Sequence, residues 1–468
     1  MRLVSPSSLK SAIALVIALG GFPALKSEAP PNIFIFLSDD LSYHDLGCYG
    51  NEEVKTPHID ALAASGLRLD ACFNSAPMCA PTRMALYTGI HPVRNGAHPN
   101  HSEVYPWVKT MPHYLQELGY RVGLANKTHY APASQFPFEH LAGRQHDTGK
   151  DGIDFDLDRV DAFLKDSQGA PWCFVFASNQ PHTPWNRGDA SQYDAASIEI
   201  PPYLVDTPET REAMTHYYAE ITYMDEQLGR CLEILDALGE TENTLFLYLG
   251  EQGSNFPFCK WTCYETGLRS AGILHWPGKI EGGSVSTEIV QYVDVLPTLV
   301  EVAGGNPLEA DFDGKSFGAM LRGDRSYEAN EYAYGVQTSR GIHSGPEAYG
   351  IRSVRDACFR LIWNVNSEER FRNTVSERLE SYRSWEQAAK RGDAFAGERY
   401  AAYLKRPAYE LYDVVADPFC LGNLANDPAH RATFDRLRAE LALWMEQQGD
   451  QGARSETEAL LRMPSKRN

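Results

Sequence analysis

Four apolar stretches of this chain each stop abruptly in polar or charged residues. NIFIFLSDD runs from Asn32 into Asp39 and Asp40. YRVGLANKTH runs from Tyr120 into Lys127 and His129. WCFVFASNQPHTP runs from Trp172 through His182, and TLFLYLGEQG runs from Thr244 into Glu251 and Gln252. Continuous apolar runs of this length suit strands buried on both faces of a parallel sheet. Helical spacing fills the intervals: HIDALAASGLRL, TMPHYLQELGY, and a long stretch in which Thr210 is a candidate N-cap and Gly239 a candidate C′ residue. The alternation predicts an α/β fold, a doubly wound, mostly parallel sheet flanked by helices. Ligands in such sheets bind beyond the carboxyl ends of the strands, so the four polar clusters are expected to converge.

The chain has 468 residues, enough for two packed units. Its net charge of −19, with no run of Lys and Arg, argues against nucleic acid as a partner. Any anion site must therefore be local. Arg2 and Lys10 precede a short apolar stretch broken by Gly20, Gly21 and Pro23. This pattern reads as a signal peptide over residues 1–29 and predicts a secreted or periplasmic protein with no membrane span in the mature chain. The character changes after Gly304. Short antiparallel strands and an amphipathic closing helix place a C-terminal α+β subdomain at residues 331–468, after a main domain at 30–330. Nine cysteines leave at least one thiol unpaired or modified. Cys259 and Cys263 have no accompanying Cys/His pair at zinc spacing and read as structural.

Asp39 and Asp40 form either an oxygen site for Ca²⁺ or Mg²⁺ or an N-cap pair, and on those two residues alone the cap is the stronger reading. Glu251 and Gln252 add oxygens from a second strand end. Lys127 and His129 share one side of an extended segment, and His182 stands between Pro181 and Pro184. The stretch CAPTRMALYTG, residues 79–89, changes the weighing. Pro81 is suited to a helix start, which puts Cys79 at a helix N-terminus, where negative charge is favoured. Arg83 adds a donor fork one turn on.

Cys79-Ala80-Pro81-Thr82-Arg83 with Leu86, Thr88 and Gly89 resembles the signature of the type I sulfatases of the alkaline phosphatase superfamily. The resemblance continues through Lys127-x-His129, Pro181-His182-Thr183-Pro184, Lys260, Tyr264-Glu265-x-Gly267-x-Arg269, Trp276-Pro277-Gly278 and Glu410-Leu411-Tyr412-Asp413. It implies an alkaline-phosphatase-like fold and a sulfuric ester hydrolase. In this family the motif cysteine is converted by a maturation enzyme to Cα-formylglycine, whose hydrate supplies the nucleophile. By the same resemblance, Asp39, Asp40, Glu251 and Gln252 hold one Ca²⁺ together with position 79. Arg83 and Lys127 brace the nucleophile, and His129 deprotonates its second hydroxyl. His182 and Lys260 hold the sulfate, with His182 protonating the leaving alcohol. Glu251-Gln252 departs from the usual Asp followed by Asn or His by one methylene each. Cys420, where an acid is common, reads as structural.

The implied substrate is a sulfated oligo- or polysaccharide, with algal galactans such as carrageenan first and glycosaminoglycans second. Trp185 and Trp261 stand either as sugar-stacking faces or as core residues. His98, His101, Arg144 and His146 are candidate substrate contacts by position. Three alternatives remain at this stage: a phosphoester or phosphonate hydrolase on the same scaffold, a catalytically silent sulfoglycan-binding protein, and a sulfamidase cleaving N-sulfate.

Overall fold

In the computed structural model, residues 30–143, 154–167, 169–324 and 327–464 are described. The 1–29 leader, Arg144 and His146 lie outside them. Nine strands build the main sheet: β1 (Asn32–Leu37), β2 (Leu67–Phe73), β3 (Arg121–Asn126), β4 (Glu139–Ala142), β5 (Trp172–Ala177), β6 (Thr244–Leu249), β7 (Arg269–His275), β8 (Ser284–Ser286) and β9 (Val290–Gln291). Their order is β4-β3-β5-β1-β6-β7-β2-β8, with β9 beside β2. Every pairing is parallel except those of β7, which runs against both neighbours.

All six residues of β1, β5 and β6 are buried. Phe34 and Phe36 point into one apolar core while Ile33, Ile35 and Leu37 point into the other. This two-sided burial explains why the strands read as unbroken apolar runs. Phe34 of β1 stacks on Phe246 of β6 with centroids 5.1 Å apart.

The long helix Pro208–Leu238 covers one face. Its N-cap is Thr207, whose hydroxyl accepts from the Thr210 N–H, because Pro208 is well suited to the first helical position. Thr210 is thus inside the helix, while Gly239 ends it at φ 70° as expected. Among the described residues no helix is long and apolar enough to cross a membrane.

A second sheet is antiparallel: β10 (Ala333–Thr338), β11 (Gly350–Arg355), β12 (Phe359–Asn364) and β13 (Tyr409–Asp413), in that order. The helix Arg431–Gln447 packs on it through Phe434, Leu437, Leu441 and Trp444. Gly341, at φ 77° between β10 and β11, lets this unit approach the loop that carries Asn100. A Cβ there would lie 1.9 Å from the Asn100 carbonyl oxygen, so only glycine permits the approach. All nine cysteines are free thiols. Cys259, Cys263 and Cys420 are buried in the core, in keeping with structural roles.

Candidate active site

The carboxyl ends of β1, β3, β5 and β6 deliver their polar residues to one place, and the segment after β2 adds Cys79. The helix Cys79–Thr88 is buried along its whole length and begins at Cys79 itself. Pro81 falls third in the helix, where it still lacks only an N–H that has no partner in the first turn. Cys79 Sγ lies 3.1 Å from His129 Nδ1. Burial pushes the Cys79 thiol up to about 11, against the pull of Lys127 and Lys260. An unconverted Cys79 is therefore a neutral thiol at pH 7 and a poor nucleophile.

Beneath Cys79, Asp39, Asp40 and Glu251 bring carboxylate oxygens within 4.8 Å of one another, all fully buried. Asp40 and Glu251 hold φ of 63° and 53°, a left-handed backbone that lets adjacent residues aim at one point. Three buried cations match the three carboxylates. Lys127 Nζ pairs with Asp39, Lys260 Nζ lies 2.6 Å from Asp40 Oδ2, and Arg83 Nε lies 2.7 Å from Glu251 Oε1. Burial alone would raise Asp39, but Lys127 above all, with Arg83, outweighs it and holds the carboxyl well below the usual range. Burial raises Asp40 and Glu251, with Asp39 adding to both and Lys260 and Arg83 respectively opposing.

Two oxygens here accept no hydrogen bond: Asp39 Oδ1 and Gln252 Oε1. Buried oxygens without donors, in an all-oxygen set, fit a hard cation such as Ca²⁺. The Gln252 amide reaches the centre despite its extra methylene, its Nε2 donating to Asp40 Oδ1 at 2.5 Å. Both oxygens of Glu251 are also engaged, since Oε2 accepts from the Asp40 N–H at 3.3 Å.

His182 Nδ1 donates to the Thr183 carbonyl oxygen at 2.6 Å, which leaves Nε2 to gain and lose the second proton. That Nε2 stands 3.5 Å from Asp40 Oδ2. Burial, with Lys260 and Lys127 nearby, holds the His182 imidazole well below its ordinary value and so neutral at pH 7.

A cleft of about 530 Å³ opens above Cys79, walled by His101, His129, His182, Asn255, Lys260 and Trp261 on the main-sheet side. A larger cavity, about 830 Å³, lies at the opposite, amino end of the sheet beside Pro30, Asn243 and Trp276, and holds no nucleophile. The open choice for Trp185 resolves to the core, and one candidate substrate contact, His98, is corrected. Trp185 is packed against Phe256, centroids 4.7 Å apart, with its N–H on the Pro181 carbonyl, and does not line the cleft. His98 is buried beside Arg352 and Asp450, away from the cleft, and burial pushes it down to about 3. Only His101 of the described loop candidates reaches the cleft, with its ring edge-on to His129 at 5.2 Å.

Sequence reasoning missed Asn74, which donates to the Glu251 carbonyl oxygen at 2.5 Å, and Tyr292, which accepts from the Glu251 N–H at 2.9 Å. Asn74 directly follows β2, so the strand-end rule applied to that strand finds it. Tyr292 carries no such local signal. The two tryptophans give a direct prediction. Trp185→Ala is expected to cost about 3 kcal/mol in urea unfolding, the lower end for a buried aromatic because this ring is partly exposed. Trp261, 5% exposed and part of the same core, also lines the cleft, so Trp261→Ala is expected to cost at least as much stability and in addition to raise KM for a sugar substrate.

The family model described as Sulfatase matches residues 31–305, and the one described as N-sulphoglucosamine sulphohydrolase, C-terminal, matches residues 250–372. An ulvan-active sulfatase of Formosa agariphila is 33% identical over 426 residues, covering 90% of this chain and 81% of the relative. The human N-sulphoglucosamine sulphohydrolase is 26% identical over 470 residues, covering 92% of each chain. The solved structure of BT4656 with D-glucosamine-2-N,6-O-disulfate shares the fold, with a TM-score of 0.67 at 19% identity, covering 91% of this chain and 99% of that one.

Proposed function

The chain belongs to the sulfatase family of sulfuric ester hydrolases, and from that premise we propose that it removes O-sulfate from a sulfated polysaccharide after Cys79 is converted to formylglycine. The observation that carries this reading is the place of Cys79. It sits at a helix start, against His129, on the floor of an open cleft and above a buried carboxylate cluster. The 33% identical relative named for ulvan favours an ulvan-type substrate over the carrageenan that the sequence alone put first.

The hydrate of formylglycine would supply the hydroxyl that attacks sulfur, its proton passing to a carboxylate of the buried cluster as the bond from sulfur to the leaving alcohol breaks. Asp39, Asp40, Glu251 and Gln252 would hold Ca²⁺, which would supply positive charge for the sulfuryl group. The chain's own residues do the rest. Arg83 and Lys127, buried and fixed on Glu251 and Asp39, offset those carboxylate charges beside position 79 without needing to move. Lys260 Nζ and His182 bind the sulfate oxygens. The negative ester arriving between them offsets the Lys260 charge and restores the proton on His182 Nε2, which then passes to the leaving alcohol. His129 Nδ1 takes the second proton from position 79, so that sulfate departs and the aldehyde returns.

Metal binding is testable apart from turnover. Removing divalent ions with EDTA is expected to lower the thermal midpoint, and Ca²⁺ at about 100 times its Kd to restore roughly 2.7 kcal/mol. Asp39→Asn is expected to abolish that Ca²⁺-dependent shift. Equal midpoints with and without Ca²⁺ in the unsubstituted protein would remove the metal from the account.

The functional test is sulfate release by ion chromatography from ulvan, carrageenan, heparan and chondroitin oligosaccharides, beside a phosphate monoester. Release from one glycan class with slower phosphate release supports the O-sulfatase. Binding without release, with the aldehyde present, supports the silent reading. A sulfamidase is the second reading, favoured by the match over residues 250–372, which contain Glu251, Gln252 and Lys260. Faster release from N-sulfoglucosamine than from any O-sulfate would establish it. Export through the 1–29 leader belongs to the same proposal, with N-terminal sequencing of exported protein as its check.

A further inference from the structure

The chain carries 62 Asp and Glu against 43 Lys and Arg, yet no carboxylate lines the cleft among the described residues. The far wall comes from the C-terminal part of the chain: Ile342 and His343 between β10 and β11, and Thr374, Arg378 and Leu379 after β12. Arg378 is exposed and, among the described residues, makes no hydrogen bond or ion pair. Several other arginines of this unit are paired, although among the described residues Arg370, Arg372 and Arg391 are not and lie outside the cleft lining. Arg431 pairs with Asp435, Arg454 with Glu458, Arg436 with Asp356, and Arg383 donates to the Glu377 carbonyl. Lys260, the other lysine or arginine lining the cleft among the described residues, is paired with Asp40 and assigned to the ester that is cut.

The segment bearing Arg378 is fixed. Asn373 caps the short helix Thr374–Arg378, accepting from the Val375 N–H at 2.9 Å and donating to Tyr403 Oη at 3.2 Å. Val375 is fully buried, and the Phe371 N–H donates to the Leu404 carbonyl at 2.9 Å. A guanidinium on an anchored segment, lining a cleft with no carboxylate among the described residues, is prepared for bidentate binding of an oxyanion.

We infer that Arg378 binds a second anionic group of the substrate, a uronate carboxylate or a further sulfate, next to the ester that is cut. This rests on the sulfatase reading and names a specificity determinant within it. A locally cationic wall also explains how a strongly acidic protein receives a polyanion.

The test compares converted protein with and without Arg378→Ala and Arg378→Lys on two substrates, a uronate-bearing sulfated oligosaccharide and 4-nitrophenyl sulfate. Arg378→Ala is expected to lower the ratio of kcat/KM on the oligosaccharide to kcat/KM on the aryl ester by about tenfold or more, mostly through KM. Arg378→Lys is expected to recover part of it. Reducing the uronate carboxyl to an alcohol removes the difference between the Arg378 protein and the alanine variant if the partner is a carboxylate. Removing the second sulfate does so if the partner is sulfate. In parallel, calorimetric binding of the same oligosaccharide is measured in the Cys79→Ala background. Binding weakened by Arg378→Ala sustains the inference even with no sulfate release from any substrate, in which case the sulfatase reading alone falls. An unchanged ratio with unchanged binding, or no binding of the oligosaccharide at all, overturns it.

Discussion

Protein carrying Cys79→Ala, expressed beside a maturation enzyme, is expected to fold and to lose sulfate release by on the order of 10⁴-fold or more. The loss follows from position. Cys79 meets His129, the helix N-terminus and the cleft together. The substitution removes one sulfur atom, and the fold around it stands on other groups. The ten residues of the helix are all buried, and Thr82 anchors the turn before it through the Ala76 carbonyl at 2.6 Å. The unfolding midpoint is therefore expected to move little. Measuring both quantities on one preparation separates loss of the nucleophile from loss of the fold. A variant that keeps a tenth of the parent rate would remove Cys79 from the chemistry.

Arg83→Met is expected to act in the opposite way, on stability and turnover together. Arg83 is fully buried and ties four segments. Nε pairs with Glu251 at 2.7 Å, Nη1 donates to the Lys127 carbonyl and Nη2 to the Ser38 carbonyl at 3.4 Å each, and Nη2 lies 3.9 Å from Asp39 Oδ1. These are the carboxyl ends of β1, β3 and β6, held to the nucleophile's helix by one side chain. Without it, a buried Glu251 carboxylate loses its cation, a change that costs about 3–5 kcal/mol when one partner of a buried pair is removed. Denaturant unfolding measures the stability and sulfate release the function. Arg83→Lys is expected to fail as a rescue, because one ammonium cannot reach Glu251 and two carbonyls in different directions. Recovery of full stability by lysine would show that charge, not the planar fork, is what the site needs.

Much of this centre is legible in the sequence because the chemistry sits at strand ends. Asp39, Asp40, Lys127, His129, His182, Glu251 and Gln252 all stand just past buried apolar runs, and the parallel pairing of β3, β5, β1 and β6 carries their ends to one edge. Lys260 comes from the loop after β6, and the family resemblance, not periodicity, singles it out. Burial partners were harder to read. Trp185 and Trp261 each follow a motif residue, yet one packs on Phe256 and the other lines the cleft. Side-chain direction past a strand end depends on packing that no local pattern encodes. His98 fails for the same reason, since it turns toward Arg352, which lies more than two hundred residues on. The far wall of the cleft, with His343 and Arg378, depends on docking of the second sheet, and Gly341 is its one local trace.

The most direct test of the account is the specific rate of sulfate release plotted against the fraction of Cys79 converted, read by mass spectrometry of the peptide that carries it. Preparations with graded conversion come from hosts with different amounts of maturation enzyme. The account predicts a straight line through the origin, because the unconverted residue is a neutral thiol with no role in attack. A rate that stays constant as conversion falls to zero would contradict it and assign the chemistry to another group.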